Sequence, residues 1–330
     1  MNYLELVTAI QTYTENQFPD TYLSDGTVIG TYAQINRFIE QAEQRVYNTV
    51  QFPALRKNVR GAVSTASPYL TAPDDFLSVY SMAVIENYAT PSENYTYLLN
   101  KDVNFIRQAY PSSYDVGLPK YYALFGPTVT GSTITNELSF MLGPKPDANY
   151  NVELHYYYYP ESIVQGRIGT LTNLTGGTGY ANGTYIGVTL TSVMGAGQGA
   201  TATVVVSGNS VSSVTLTSAG CLYVTGDTLT ADAALLGGTG AGFTIGVNDV
   251  KNSAGQTWLG DNFDTVLLYG CLVEAYTFMK GENDMIALYD NKYKEALGLA
   301  KRLGDGLERS DAYRSGQARE MPLPQNNGVK

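Results

Sequence analysis

The sequence predicts an α+β protein: a four-helix bundle built from both chain ends with a β-rich lobe, plus an inserted small all-β domain rich in glycine. Three observations carry this. Apolar residues recur at three- and four-residue steps at both ends of the chain, the helical period. From Arg56 to about Val164 the period changes to two, the signature of strands. From Gly166 to Val250, short Val/Thr runs alternate with glycine turns; this stretch holds 18 of the 34 glycines and only four charged residues, Arg167, Asp227, Asp232 and Asp249.

Taken in order, Tyr3, Leu6, Val7, Ile10 and Tyr13 make a short amphipathic helix that closes near Phe18-Pro19. Thr31 followed by Gln34 reads as a capping box, and Ile35, Phe38, Ile39, Ala42, Val46 and Val50 continue a clean stripe up to Pro53. Strands are expected at Val79–Ile85, Lys120–Phe125, Leu138–Leu142 and Val152–Tyr159, with a short helix at Asp102–Tyr110. In the last strand, Val152, Leu154, Tyr156 and Tyr158 share one face, and Glu153, His155, Tyr157 and Tyr159 the other. The glycine-rich stretch repeats itself: Gly179-Tyr180-Ala181-Asn182-Gly183-Thr184 matches Leu222-Tyr223-Val224-Thr225-Gly226-Asp227, and Gly197-Gln198-Gly199-Ala200 matches Gly238-Thr239-Gly240-Ala241. Between the copies, Ser207-Gly208-Asn209-Ser210 is a hairpin turn. Trp258 to Leu303 then reads as two helices back to back. Asp261 caps the first, and Gly281 separates them. The second carries an apolar series through Met285, Leu288, Tyr289, Tyr293, Ala296, Leu299, Ala300 and Leu303. The expected division is a core of 1–165 and 251–303, an inserted domain of 166–250 and an extended C-terminal arm of 304–330.

Composition narrows the function. Charged residues are 15% of the chain and tyrosines number 27, which describes an uncharged, tyrosine-rich surface suited to protein contacts. A net charge of −10 argues against a general nucleic-acid clamp, which needs phosphate-neutralising Lys and Arg. No basic start with an apolar run opens the chain, and no stretch of roughly eighteen apolar residues occurs, so neither a signal peptide nor a membrane span is expected. With two cysteines, Cys221 and Cys271, in regions of different character, a reducing compartment is the simpler expectation.

Chemistry has few places to reside. The single histidine, His155, stands beside Glu153 on a strand, without zinc-ligand spacing. The run Gly195-Ala196-Gly197-Gln198-Gly199 is followed by neither Lys-Ser/Thr nor a helix, so it is not a phosphate loop. Asp74-Asp75 fits a turn, and Asp261/Asp264 a helix N-terminus. No catalytic residues, cofactor or metal are expected, and the protein reads as a non-enzyme. From Lys301 onward, six basic residues (Lys301, Arg302, Arg309, Arg314, Arg319, Lys330) face four acidic ones (Asp305, Glu308, Asp311, Glu320), a local +2 in an acidic protein.

Two stretches are familiar. Tyr69-Leu70-Thr71-Ala72-Pro73-Asp74-Asp75-Phe76-Leu77 resembles the strand-turn segment of tailed-bacteriophage head-to-tail adaptor (connector) proteins. So does Trp258-Leu259-Gly260-Asp261-Asn262-Phe263, running on through Tyr276, Lys280-Gly281-Glu282, Tyr289, Tyr293 and Leu297. The resemblance covers roughly 1–165 and 256–320, and the glycine-rich repeat departs from the plainer adaptors. It implies a virion protein of the neck or tail, assembled in the host cytoplasm. Such proteins form a homo-oligomeric ring, commonly a dodecamer, that joins the portal protein to a tail nozzle, tube or fibre protein. DNA passes through the ring without specific binding. The C-terminal arm of such adaptors embraces the portal, which makes Arg302, Arg309, Tyr313, Arg314 and Arg319 the candidate interface residues. The rivals are another virion structural or decoration protein whose inserted module binds a host glycan or a tail component, and a polysaccharide-degrading tail enzyme.

Overall fold

The computed structural model describes residues 1–19, 21–22, 28–29, 31–126, 128–130, 133–136 and 138–315. It divides into two compact units, one formed by Met1–Val50 with Glu161–Arg309, the other built on Gln51–Pro160. In chain order the first unit begins with α1 (Tyr3–Thr14), the short pair β1 (Thr21–Tyr22) and β2 (Val28–Ile29), and α2 (Thr31–Thr49). Asn2 and Glu5 close a reciprocal capping box on α1, satisfying amide donors that the first turn would otherwise leave unpaired. All six apolar positions of the α2 stripe, from Ile35 to Val50, are buried.

The second unit holds β3 (Arg56–Val63), β4 (Tyr69–Thr71), β5 (Phe76–Glu86), β6 (Asn94–Tyr97), β7 (Leu99–Asn100), α3 (Val103–Ala109), β8 (Tyr121–Phe125), β9 (Thr128–Thr130), β10 (Thr133–Asn136), β11 (Ser139–Gly143) and β12 (Tyr150–Tyr158). Sheets ordered β4-β11-β8-β7 and β3-β12-β5-β6 share one core, in which Met82, Val84, Phe140, Leu142, Val152 and Leu154 are buried together. On the opposite face of β12, Glu153 accepts from Arg60 Nε at 2.7 Å and lies 2.8 Å from His155 Nε2. Burial raises the Glu153 carboxyl, but the bonds from His155 and Arg60 outweigh it and hold it below its usual range. His155 is therefore part of a cross-strand hydrogen-bonded cluster with Glu153 and Arg60.

Returning to the first unit, the glycine-rich stretch supplies β13 (Arg167–Thr178), β14 (Gly183–Ser192), β15 (Gln198–Ser207), β16 (Ser210–Cys221), β17 (Thr228–Thr230) and β18 (Ala241–Lys251). They form one sheet ordered β13-β18-β17-β14-β15-β16. Its two edges approach each other. Leu222 and Tyr223 donate to Gln165 and Gly166 at one end, and a Cβ on Gly176 would strike Ser210 and Val211 at the other, so the sheet nearly closes into a barrel.

The sheet order explains the sequence repeat. β13, β14 and β15 correspond to β16, β17 and β18, yet β13 pairs with β18 and β16 with β15, so each copy completes its partner's sheet. The repeat tyrosines mark the same exchange. Tyr223 Oη accepts from Ala200 N and Tyr180 Oη from Phe243 N. A Cβ on Gly197 would strike the Tyr223 ring, and one on Gly240 the Tyr180 ring. The second motif therefore aligns two residues away from the sequence match: 223 − 180 and 240 − 197 both equal 43, so Gly197 corresponds to Gly240 rather than Gly238. At the hairpin turn, Gly208 and Asn209 both take positive φ (63° each), as a tight two-residue turn between twisted strands demands.

The expected four-helix bundle with a small insert is not what forms. Among the described residues there are six α-helices, completed by α4 (Trp258–Asn262), α5 (Asp264–Phe278) and α6 (Asn283–Ser315), and the glycine-rich barrel is the largest sheet of the chain. The helices do not share a common bundle seam. α5 is apolar nearly all round, with Val266, Leu267, Cys271, Leu272 and Ala275 buried, and it serves as an axis against which α1 and α2 pack. Gly270 lets three helices meet: a Cβ there would lie 3.1 Å from Ala42 and 3.3 Å from the Tyr293 ring. The N-cap of α4 is Thr257, and Asp261 lies inside that short helix rather than capping the long one.

One polar group in this unit stands out. Glu43 on α2 is 4% exposed, accepts from Ile163 N at 2.8 Å, and so fastens the segment leading into β13. Burial pushes its carboxyl up to about 7, against the opposing pull of the Ser162 hydroxyl, the Ile163 amide and Arg167; Glu40 adds to the rise.

Candidate docking helix

The segment carrying the expected interface residues is built on α6. Its inner stripe, Tyr289, Tyr293, Ala296 and Ala300, is buried. Tyr289 packs on Tyr276 and Tyr269 of α5, with ring centroids 5.0 and 6.2 Å apart, and Arg45 of α2 lies 5.7 Å over the Tyr293 ring. Arg45 also forms an ion pair with Glu274, which ties α2 to α5. Burial and the Tyr276 hydroxyl push the Tyr289 phenol up to about 12, and burial raises Tyr293 as well. These tyrosines remain neutral packing groups.

The outer side of the same helix is different. Leu288 and Leu299, which the apolar series assigns to a buried face, are 46% and 61% exposed. They alternate with charged residues: Leu288, Lys292, Glu295, Leu299 and Arg302 follow at three- and four-residue steps and are all exposed. The backbone stays helical to Ser315, through the first part of the segment expected to be an extended arm. Two glycines, Gly304 and Gly306, cost about 1 kcal/mol each relative to alanine, and the residues around them, Leu303, Leu307, Glu308 and Arg309, are good helix formers that add little further cost. Continued steps along the outer stripe reach positions 306, 309 and 313. Positions 302, 309 and 313 thus fall within about 40° of one another around one helix, whereas position 314, Arg314, is about 100–140° away at roughly 100° per residue. Arg319 lies outside the described residues. Sequence reasoning missed Leu288 and Leu299 as surface groups, and the interposed Lys292 was the available signal.

Elsewhere the candidate chemistry resolves into structure. Asp75 accepts from Lys57 at 2.5 Å and from Tyr156 at 2.8 Å. Asp264 accepts from the Thr265 amide at the start of α5. No group of His, Cys, Asp and Glu able to hold a metal ion occurs among the described residues. Cys221 and Cys271 are both buried and unpaired with each other. No described helix is long and apolar enough to cross a membrane.

The Glu153, Asp75 and Asp264 carboxylates thus serve structural contacts, and the outer side of α6 presents an exposed Leu/Arg face. In comparison with known families, the model of the SU10 adaptor protein family matches residues 1–179, from α1 through β13. The chain belongs to the SU10 adaptor protein family, a bacteriophage structural family, and is a virion component. A search of the curated proteins finds no match to it.

Proposed function

We infer that the chain is the head-to-tail adaptor of its virion. In this reading, a homo-oligomeric ring of adaptor copies, a dodecamer by analogy with other adaptors, joins the portal protein to the tail and continues the DNA channel. The observation that supports it is the outer stripe of α6. Arginine and tyrosine are the residue types that anchor interfaces once desolvated, and a helix that presents anchors at three- and four-residue steps fits a groove on a partner. Arg302, Arg309 and Tyr313 are the portal-facing groups on this stripe, and Arg314, at a position on another side of the helix, and Arg319 complete the contact. Leu288 and Leu299 extend the contact. The net charge of −10 keeps duplex DNA sliding rather than adhering, because phosphates are repelled over about 8 Å at physiological salt.

Truncation after Leu303 tests this. It removes the helical turns from 304 to 315 and spares the buried stripe Tyr289–Ala300. The truncated chain is expected to keep its helical circular dichroism and to lose co-sedimentation with purified portal rings. Docking with unchanged affinity would refute the assignment, as would tight, salt-sensitive binding of duplex DNA refute a non-adhesive channel.

A further inference from the structure

A cleft of about 560 Å³ opens between α2 and the barrel. Its barrel wall is the seam between β13 and β16, the two edges of the sheet. No ladder joins these edges among the described residues; hydrogen bonds bridge them beyond the strand ends, from Leu222 and Tyr223 to Gln165 and Gly166 beside the cleft and from Tyr180 to Asn209 at the far end. The first residues of β13 and the last of β16 therefore line the cleft with backbone donors and acceptors.

The side chains add two properties. Arg37 and Arg167 both reach the cleft, whereas Glu40 is the single carboxylate in its lining. Glu40 accepts from Arg167 Nη1 at 2.5 Å, which orients that guanidinium, while Arg37 is exposed and makes no ion pair among the described residues. The cleft is thus locally cationic in a chain of net charge −10. Around the arginines stand the Gln198 amide and three groups partly engaged in the fold, with Asn36 Oδ1 accepting from Tyr3, Thr217 bonded to Thr201 and Ser218 donating to Gly199 O; Ile168 and Leu216 add apolar lining.

A carboxylate opposite Arg37, several groups that both donate and accept, and C–H surface for the apolar lining describe one ligand class. We propose that this cleft binds a carboxylated sugar, a hexuronate or a saccharide containing one. The volume lies within the usual range for small-ligand sites, roughly 300–1,000 Å³. A bare anion would leave the Gln198 amide and the remaining lone pairs of the Thr217 and Ser218 hydroxyls unused. A neutral sugar would leave Arg37 without a counter-charge.

The test uses the full chain and calorimetric titration with glucuronate, glucose, acetate and a tetrasaccharide of alternating glucuronate and N-acetylglucosamine. Glucuronate is expected to bind at least about tenfold more tightly than glucose or acetate, as one charge-assisted contact requires. Arg37→Ala is expected to remove that preference while the melting curve stays unchanged, because the side chain is exposed and makes no ion pair among the described residues. Tighter binding of the tetrasaccharide assigns the site to a surface polysaccharide; equal binding assigns it to the free sugar. Failure of both acidic sugars to bind overturns the proposal, and so does binding that Arg37→Ala leaves intact. Neither outcome bears on portal docking, which involves a different face.

Discussion

Replacing Glu43 with glutamine isolates the energetic consequence of one buried carboxyl. Its ordinary value of 4.5 is raised to about 7 in the folded chain, chiefly by burial. Between these two values the folded state binds more protons than the unfolded state, so stability falls as pH rises. The contribution is fully present below pH 4.5 and lost once pH has passed 7. A shift of this size corresponds to about 3 kcal/mol, at roughly 1.36 kcal/mol per unit. Glutamine offers the same carbonyl-type acceptor to the Ile163 amide without the charge. Glu43→Gln should therefore gain about 3 kcal/mol on the wild type between pH 4.5 and pH 8. Urea unfolding of both proteins at the two pH values measures it. The neighbouring charges Glu40 and Arg167 are present in both proteins, so their own titration cancels in the comparison to first order. A difference between the two proteins that stays constant across this window would refute the assignment of a buried, near-neutral carboxyl.

Gly197→Ala and Gly240→Ala should destabilise the chain by similar amounts, roughly 1–3 kcal/mol each in thermal or chemical melts, because each added methyl meets an equivalent tyrosine ring; unequal costs would contradict the repeat symmetry. Gly298→Ala, in open space on α6, should instead stabilise by about 1 kcal/mol, and a loss would show a contact on that face. Deleting 166–250 and joining Gln165 to Lys251 should preserve the helical signal. The ends are adjacent, with Gly166 donating to Asn252 at 3.2 Å and Arg167 paired with Lys251, and loss of that signal would sink the reading of 166–250 as an insertion.

What the sequence disclosed depended on whether one face of an element decides its fate. The α2 stripe and the alternation of β12 could be read because each buries one side and exposes the other. β3 was invisible as a strand: Arg56, Lys57, Asn58, Val59 and Arg60 sit at a sheet edge with little burial, so no alternation marks them. α5 was legible as a helix, but an element apolar nearly all round does not say how many neighbours surround it, and the bundle inferred from it was wrong. In α6 the apolar series mixed two faces, since Leu288 and Tyr289 are neighbours in sequence and lie on opposite sides of the burial boundary. The barrel repeat was recognisable, yet its closure was not, because strand exchange between copies leaves no trace in local periodicity. Of the proposed docking residues, the types were legible and their helical alignment was not; that required knowing that Gly304 and Gly306 do not end the helix.

The exchanged strands also impose an order on synthesis. A nascent chain finishes β13 at residue 178, but the partner strand does not begin until residue 241, a wait of 241 − 178 = 63 residues. At about 5–20 residues per second, the ribosome leaves β13 without its partner for roughly 3–13 seconds. A strand rich in Val and Ile would be an aggregation hazard over that interval. β13 reads Arg-Ile-Gly-Thr-Leu-Thr-Asn-Leu-Thr-Gly-Gly-Thr, and of it only Ile168 becomes fully buried. The apolar Val204-Val205-Val206 run, by contrast, lies in a hairpin whose second strand starts at Ser210, so it can pair almost as soon as it is made. The sparing of hydrophobic residues in the strand that waits lets a barrel with exchanged strands emerge safely from the ribosome.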